Sequence, residues 1–526
     1  MNRPSAADLG SEIIATLIRS GVTQVVLSPG ARSAPLSVAA ARAAARQELQ
    51  LQVRVDERSA AFTAVGVARV TGIPAAVMCT SGTATANFLP AVVEARYSGV
   101  PLVVITADRP PELRGSGASQ TIDQVGMFDQ YVVGSWDLPV EPEPGEIAGQ
   151  VEVALALAAR ARGPVHINAP FRPPLVGETT LPVPELAPSH PNGPAALPEP
   201  LDLGQLPANG VFVVGDLDVW DEQSRREIEK RAADWGWPII AEATSGLMAA
   251  TTTIPAGNVL VDDRQQRALL RPDLVISIGP FGLHRGLLAL VDEAERHIAV
   301  QLRPRTDPPD PLRTAERVLS RLPTGQVAVD PDWLQRWHNA ATTKLQLTEP
   351  QAELAKVAHT IWQELSAQDL LVVAPSMSIR AVSACSGPGP QVVANRGANG
   401  IDGFVSTAWG AASAWTGGRT VALLGDLALL HDQNGLLVPD AEPRPDLTLV
   451  IADNNGGGIF GQLEMAASDY DDVFERVFGT AHDRDLAEVL RGARVPTVVA
   501  ARPSELAQQL QEAVSGIRAI IVPVSR

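Results

Sequence analysis

The sequence predicts an α/β protein built from three doubly wound parallel-sheet units, and three observations support this. Short apolar runs rich in Val, Ile, Leu and Ala alternate with longer amphipathic stretches, the pattern of parallel strands covered on both faces. The runs end in loops bearing glycine, an acid or an arginine, such as Ser28-Pro-Gly-Ala-Arg32 and Thr80-Ser-Gly-Thr-Ala84. Two looser stretches divide the chain, and 526 residues suit three or four domains.

In the first unit, Ser5 and Asp8 form a capping-box-like start for a helix reaching Arg19. Strands are predicted at Val22–Leu27, Leu51–Val55, Ala75–Cys79 and Leu102–Thr106. Helices are predicted from about Pro35 and over Ala60–Val70. Residues 170–210 carry Pro170, Pro173, Pro174, Pro182, Pro184, Pro188, Pro191 and Pro194 without an apolar period, and read as an extended linker. The second unit places strands at Val211–Val214, Ile239–Ala241, Leu274–Ile278 and Ile298–Leu302, with a helix from Glu222. A loose region is predicted near 323–350. The third unit places strands at Leu370–Ala374, Gln391–Ala394, Thr420–Leu424, Leu447–Ala452 and Ala519–Val522.

Composition narrows the function. Lys and Arg number 42 against 59 Asp and Glu, a formal net charge of −17 that argues against a binder of nucleic acid or anionic membranes. Cys79 and Cys385 lie far apart and outside any metal-ligand spacing, so they read as reduced, buried thiols of a cytoplasmic protein. The N-terminus lacks a signal-peptide pattern and no apolar run is long enough to span a bilayer.

The most informative pair of loops is in the third unit. Val421-Ala-Leu-Leu-Gly425-Asp426 and Thr448-Leu-Val-Ile-Ala-Asp453-Asn454-Asn455-Gly456 are two strands ending in oxygen-bearing side chains. They lie about one βαβ crossover (roughly 30 residues) apart, so their C-terminal ends can meet. Asp426, Asn454 and a carbonyl in the glycine turn at Gly456 could converge on a hard cation beside a phosphate. Asp216, in Val213-Val-Gly-Asp216, ends a strand the same way but has no Asn-Asn partner a crossover later, and reads as structural.

Glu57 follows the Leu51–Val55 strand. It is either an acid that favours a helix N-terminus or a carboxylate that shares a proton with a ring nitrogen. Arg32, Arg109, Arg380 and Arg396 all fall in predicted strand-end loops, where guanidinium forks suit a substrate with several carboxylates. His284 and His431 have no clear nucleophile partner, and no G-x-G-x-x-G follows a strand.

Glu57 in the first unit together with Gly425-Asp426 and Asn454-Asn455 in the last resembles the thiamine-diphosphate enzyme superfamily. The resemblance covers essentially the whole chain. It implies a pyrimidine-binding domain at 1–180, a central domain at 181–345 and a diphosphate-binding domain at 346–526. Narrower motifs are Leu27-Ser-Pro-Gly-Ala-Arg32-Ser33, Asp56-Glu57-Arg58, Thr80-Ser-Gly-Thr-Ala84-Thr-Ala-Asn87 and Thr106-Ala-Asp-Arg109-Pro-Pro-Glu-Leu113. Gly117-Ala-Ser-Gln120-Thr, Asn395-Arg396-Gly-Ala-Asn-Gly-Ile401-Asp-Gly403 and Asn454-Asn-Gly-Gly-Gly-Ile-Phe460 complete the set. Together they resemble the SEPHCHC synthase family of menaquinone biosynthesis.

The resemblance implies a transferase that decarboxylates 2-oxoglutarate and adds the succinyl unit to isochorismate. It implies that Glu57 bonds the pyrimidine N1′ of thiamine diphosphate, with Gly82 and Gly425 also at the cofactor. Asp426, Asn454 and Gly456 would hold Mg²⁺, with Mn²⁺ an alternative, and Ile401 would bend the cofactor. Ser376 and Arg380 match positions for the oxoglutarate carboxylate, and Arg32, Arg109 and Gln120 match the isochorismate side. Arg396 lies between the two substrates and Phe460 walls the pocket. The same resemblance implies a homodimer or homotetramer with active sites shared between subunits. Ala31, Ser119 and Asp453 depart from the family pattern, and the family's central-domain lysine is not evident, with Arg285 the candidate to replace it. An acetolactate-type carboligase and a non-catalytic cofactor-binding homologue are the rival readings.

Overall fold

The computed structural model describes residues 4–179, 199–305, 307–328, 330–347 and 352–526. The first sheet contains β1 (Gln24–Leu27), β2 (Gln50–Val53), β3 (Ala75–Cys79), β4 (Leu102–Asp108), β5 (Gly134–Asp137) and β6 (Val165–Pro170). A central region contains β7 (Asp202–Leu206), β8 (Gly210–Val214), β9 (Ile239–Ala241), β10 (Leu274–Ile278), β11 (Arg296–Val300), β12 (Arg317–Leu319) and β13 (Thr324–Val327). The last sheet contains β14 (Leu370–Val373), β15 (Gln391–Val393), β16 (Thr420–Gly425), β17 (Leu447–Asp453), β18 (Thr497–Val499) and β19 (Ile517–Pro523).

The first and last sheets repeat one topology. The first runs β2-β1-β3-β4-β6-β5 and the last β15-β14-β16-β17-β19-β18, the same order strand for strand. The central strands form a five-stranded sheet, β12-β11-β10-β8-β9, and a pair, β13-β7. All the described ladders within these sheets are parallel. Strand order reverses between β1 and β3, and again between β14 and β16. Open α/β sheets bind ligands in the crevice at that reversal.

The inner strands are apolar because both faces are covered. Val25, Val26, Val77, Val104, Leu371, Val372, Leu423 and Leu449 are all fully buried. Each such side chain contributes about 1.5–3 kcal/mol relative to exposure. Caps set the helix starts. Ser5 and Asp8 exchange hydrogen bonds (Asp8 N to Ser5 Oγ 3.1 Å, Ser5 N to Asp8 Oδ2 2.9 Å) ahead of the helix Ala6–Arg19. Asp56 Oδ1 accepts from Ser59 N at 2.8 Å, so the helix after β2 starts at Glu57 and not at Ala60.

Several expected boundaries move. The first strand starts at Gln24, not Val22, and the second ends at Val53, not Val55. Arg54 leaves the strand and stacks on Trp409, 4.3 Å from the ring centroid. The stretch 170–210 is not one linker: Pro170 ends β6, and Asp202–Leu206 pairs as β7 with β13. Pro182, Pro184, Pro188, Pro191 and Pro194 lie outside the described residues. The region 323–350 is not loose either, since it forms β13 and the helix Trp333–Leu347. Trp333, Trp337 and Ala341 recur every helical turn and are buried, which is the force that orders this helix.

Asp216 is a buried structural acid, as its lone Gly-Asp context suggested. It pairs with Arg69 of the Glu57–Thr71 helix and with Arg305 Nη2 at 3.3 Å, joining the first unit to the central one. Cys79 and Cys385 are buried free thiols, and burial raises both, Cys79 to above the ordinary thiol range and Cys385 to about 12. Among the described residues no helix is long and apolar enough to cross a membrane.

Candidate active site

The β14/β16 crevice holds a set of converging oxygens. Asp426 follows β16 directly and is buried. β17 ends at Asp453, and the chain then turns through Asn455 and Gly456, with φ of 57° and 139°. Asp426 Oδ2 accepts from Gly456 N at 2.8 Å and Asn454 N at 3.2 Å. The Asn454 amide oxygen lies 3.1 Å from Asp426 Oδ2 and 2.8 Å from the Gly456 carbonyl oxygen. Turned over, the amide would donate to both; as placed, three acceptor oxygens face one another. Oxygen-only donors at such spacing suit a hard divalent cation.

A cavity of about 260 Å³ opens onto these oxygens. Ser376, Ile401, Gly425, Asp426, Asn454, Gly456 and Phe460 all line it, so seven of the expected site residues come together. Nothing crowds Gly425: a Cβ there would meet no atom within 4 Å. Ser376 holds φ at 73°, a left-handed conformation that a serine adopts at a cost of about 1–3 kcal/mol. Its carbonyl accepts from Arg380 Nη1 at 2.7 Å, one turn along the helix Met377–Ser383.

A second cluster gathers around Arg380. Burial lowers its guanidinium from the usual value, the charge of Arg396 lowers it further, and Glu242 opposes both. Arg285 adds to the positive field, so the central unit contributes to this group. Glu242 is buried, accepting from Gly282 N at 2.8 Å and Leu283 N at 2.7 Å. Burial raises its carboxyl, and Arg396 pulls it back. The Arg396 loop is itself anchored to the first unit, where Glu94 accepts from Gly397 N at 2.9 Å and Ala398 N at 2.7 Å.

A third cluster lies at the β1/β3 crevice of the first sheet. Arg109 Nη1 donates to Ser81 Oγ at 2.7 Å and to the Gln120 carbonyl at 3.0 Å. Gln120 Nε2 donates to the Ser81 carbonyl at 3.0 Å. Gly82, with φ of 85°, sits against the Gln120 side chain, and Gly82 N donates to Gln124 Oε1 at 3.3 Å. Arg32 Nη1 donates to the Phe171 carbonyl at 2.9 Å. Burial and then the charge of Arg109 lower the Arg32 guanidinium.

Glu57 lies on the first-unit side, close enough to the end of β3 for its charge to act on Cys79. It is half-buried at the first turn of its helix and does not line the cavity around Asp426 of its own chain. Its neighbours tie that turn to the third unit: Asn434 Nδ2 donates to Asp56 Oδ2 at 2.9 Å, and Arg58 Nη2 to the His431 carbonyl at 2.8 Å. His431 thus serves through its backbone, while His284 Nδ1 lies 3.1 Å from Asp262 Oδ2. Sequence reasoning missed Ser81, Glu94, Glu242 and His482. Ser81 lies inside the Thr80-Ser-Gly-Thr-Ala84 motif, but the other three reach the site from distant segments.

Residues 8–127 match the family described as "Thiamine pyrophosphate enzyme, N-terminal TPP binding domain". The chain is 41% identical to a 2-succinyl-5-enolpyruvyl-6-hydroxy-3-cyclohexene-1-carboxylate synthase of Thermobifida fusca, over 94% of this chain and 91% of that protein. It is 36% identical to the enzyme of that name from Saccharopolyspora erythraea, over 99% of this chain and 96% of the other. For the one from Rhodococcus erythropolis the figures are 38%, 99% and 97%. With a repeated parallel sheet, an oxygen-lined crevice and near full-length identity at this level, the chain belongs to the family of 2-succinyl-5-enolpyruvyl-6-hydroxy-3-cyclohexene-1-carboxylate (SEPHCHC) synthases, within the thiamine-diphosphate enzymes.

Proposed function

We propose that this chain decarboxylates 2-oxoglutarate and adds the succinyl unit to isochorismate in a conjugate addition, giving SEPHCHC and CO₂ for menaquinone biosynthesis. The observation that supports this most is the convergence of the Asp426 carboxylate, the Asn454 side-chain amide and the Gly456 carbonyl at one cavity beneath an open Gly425. It fits a divalent ion on a diphosphate. We assign that ion as Mg²⁺, with Mn²⁺ able to replace it, held by the same three residues.

Thiamine diphosphate, when bound, supplies a heterocycle that takes up the electrons released with CO₂. The protein's own residues do the rest. Glu57 would hold a proton for the cofactor's pyrimidine ring, and Gly82 would leave that ring room. Ile401 would support the cofactor from the apolar side, and Phe460 would close the pocket against water. Ser376 and Arg380 orient the 2-oxoglutarate carboxylate, with Arg396 between the two substrates. Arg32, Arg109 and Gln120 hold isochorismate, and Arg285 extends the positive field. Asp426 and Glu57 do not share a cavity within one chain, which favours an active site built from the first unit (1–180) of one subunit and the third (346–526) of another, with 181–345 as a central domain. We therefore assign a homodimer or homotetramer working in the cytoplasm.

The test is product analysis by mass spectrometry with 2-oxoglutarate, isochorismate, thiamine diphosphate and Mg²⁺. SEPHCHC is the expected product. Pyruvate turned over in preference to 2-oxoglutarate would favour an acetolactate-type reaction instead. Full activity in a monomer at high dilution would overturn the shared site.

A further inference from the structure

One side chain outside the proposed ligand set reaches the oxygen trio. His482 Nε2 lies 3.3 Å from Asp426 Oδ2 and 3.9 Å from Asp453 Oδ1. The loop that carries it is latched onto the cation turn. His482 N and Asp483 N both donate to Asn455 Oδ1, at 3.1 and 2.9 Å, and Asn455 Nδ2 donates back to Asp483 Oδ1 at 2.8 Å. Gly457 N adds a bond to the Gly479 carbonyl at 2.7 Å. The ring is therefore placed by main chain and neighbours on both sides.

The other ring nitrogen fixes the tautomer. Arg484 N donates to His482 Nδ1 at 3.0 Å. An N–H aimed at Nδ1 requires a lone pair there, so the neutral ring carries its hydrogen on Nε2. Nε2 then offers the site an N–H and has no lone pair for a metal. The geometry separates a donor to carboxylates from a metal ligand, and it selects the donor.

Asp453 supplies the reason for a donor. Its carboxylate, that of Asp426 and His482 Nε2 all lie within 4.8 Å of one another. Two carboxylates so close repel each other, and an N–H donated to one while its positive end faces the other offsets that repulsion. We propose that His482 is a positioning residue of the cation site: its Nε2–H donates to Asp426 Oδ2 while facing Asp453, keeps Asp426 Oδ2 turned toward the oxygens of Asn454 and Gly456, and lets a second carboxylate stand beside the ligands. The inference rests on reading Asp426, Asn454 and Gly456 as cation ligands.

The experiment measures Mn²⁺ binding to the full chain with thiamine diphosphate, following free Mn²⁺ by electron paramagnetic resonance. His482→Ala is expected to weaken Mn²⁺ by about 10- to 100-fold, the usual effect of losing a group that orients a ligand. His482→Gln places an N–H near the Nε2 position and is expected to recover most of that affinity. In an Asp453→Asn background, which removes the neighbouring charge, His482→Ala is expected to cost less. Thermal melts of each variant verify that it folds. Unchanged affinity in a folded His482→Ala variant overturns the inference while leaving the cation site intact. A directly coordinated imidazole nitrogen in the pulsed spectrum of the wild type also overturns it, by making His482 a ligand. Failure of the wild type to bind Mn²⁺ at all overturns the cation site and this inference together.

Discussion

Gly410 lies directly against the carbonyl oxygen of Thr63: a Cβ at position 410 would come within 1.9 Å of it. The contact is reciprocal, because a Cβ on Gly66 would meet the Thr407 carbonyl oxygen at 2.1 Å. Two helices, Glu57–Thr71 and Phe404–Ala414, therefore touch backbone to backbone. That approach holds the first turn of the Glu57 helix against the third unit. Gly410→Ala should force the helices apart and cost about 1–3 kcal/mol, the usual range for overpacking. A lowered thermal midpoint is expected, together with reduced turnover. A midpoint equal to the wild type would show that the helices can separate without loss.

Glu57→Gln should keep the fold, because Asp56 and not Glu57 caps the helix. It should lower turnover by at least about 100-fold if the carboxyl shares its proton with the cofactor ring. Cofactor binding and turnover should be measured separately. A variant that binds thiamine diphosphate and turns over normally would remove Glu57 from the chemistry.

These two residues also show what the sequence reveals and what it hides. The strand runs were legible because Val, Ile and Leu fill both faces of parallel sheets, as at Ala75–Cys79 and Leu274–Ile278. Asp426 and Asn454 were legible because each ends such a run, so topology alone brings them near one another. The edge strands Gly134–Asp137 and Thr497–Val499 were not: the first alternates half-buried and exposed residues with a single aromatic, and the second is only three residues long with Val498 and Val499 both exposed. The helix Trp333–Leu347 leaves only a weak trace in the sequence: Trp333 and Trp337 recur at helical spacing, but polar residues between them hide the stripe. Glu242 and His482 sit in loops whose partners lie far along the chain, and contacts of that kind leave no local pattern. The Gly410 contact is of the same sort, since an isolated glycine in a helix does not say which backbone it meets.

Asp432 gives the fold a pH dependence of its own. It is buried, accepting from Ser406 N at 2.7 Å and Ser406 Oγ at 3.2 Å. Burial pushes its carboxyl up to about 7, against the pull of the Ser406 bonds and Arg58. An unfolded aspartate titrates near ~3.9, so above that value the unfolded chain has released a proton that the folded chain still holds. Stability from this group is full below about pH 4 and is lost as pH rises through about 7. Asp432→Asn, neutral throughout, should flatten that part of the profile. Thermal midpoints of both proteins across this window provide the measurement. A wild-type-minus-variant difference that stays constant with pH would show that Asp432 does not titrate as its burial dictates.

Arg380 offers the sharpest test of the substrate side. Its Nη1 is already spent on the Ser376 carbonyl at 2.7 Å, which ties the guanidinium to a residue that lines the cavity. The rest of the fork remains planar and charged, the geometry that grips a carboxylate through two parallel bonds. Arg396 and Arg285 add positive charge, and Glu242 limits it. Arg380→Lys keeps the charge but loses the fork, so the expected loss is one charged hydrogen bond. Such a bond is worth about 1.5–3 kcal/mol, or roughly 10- to 100-fold. The KM for 2-oxoglutarate should rise by that factor while affinity for thiamine diphosphate stays the same, because Arg380 is not among the oxygens that would hold the diphosphate ion. A variant whose cofactor affinity falls and whose KM does not would move Arg380 from the substrate to the cofactor.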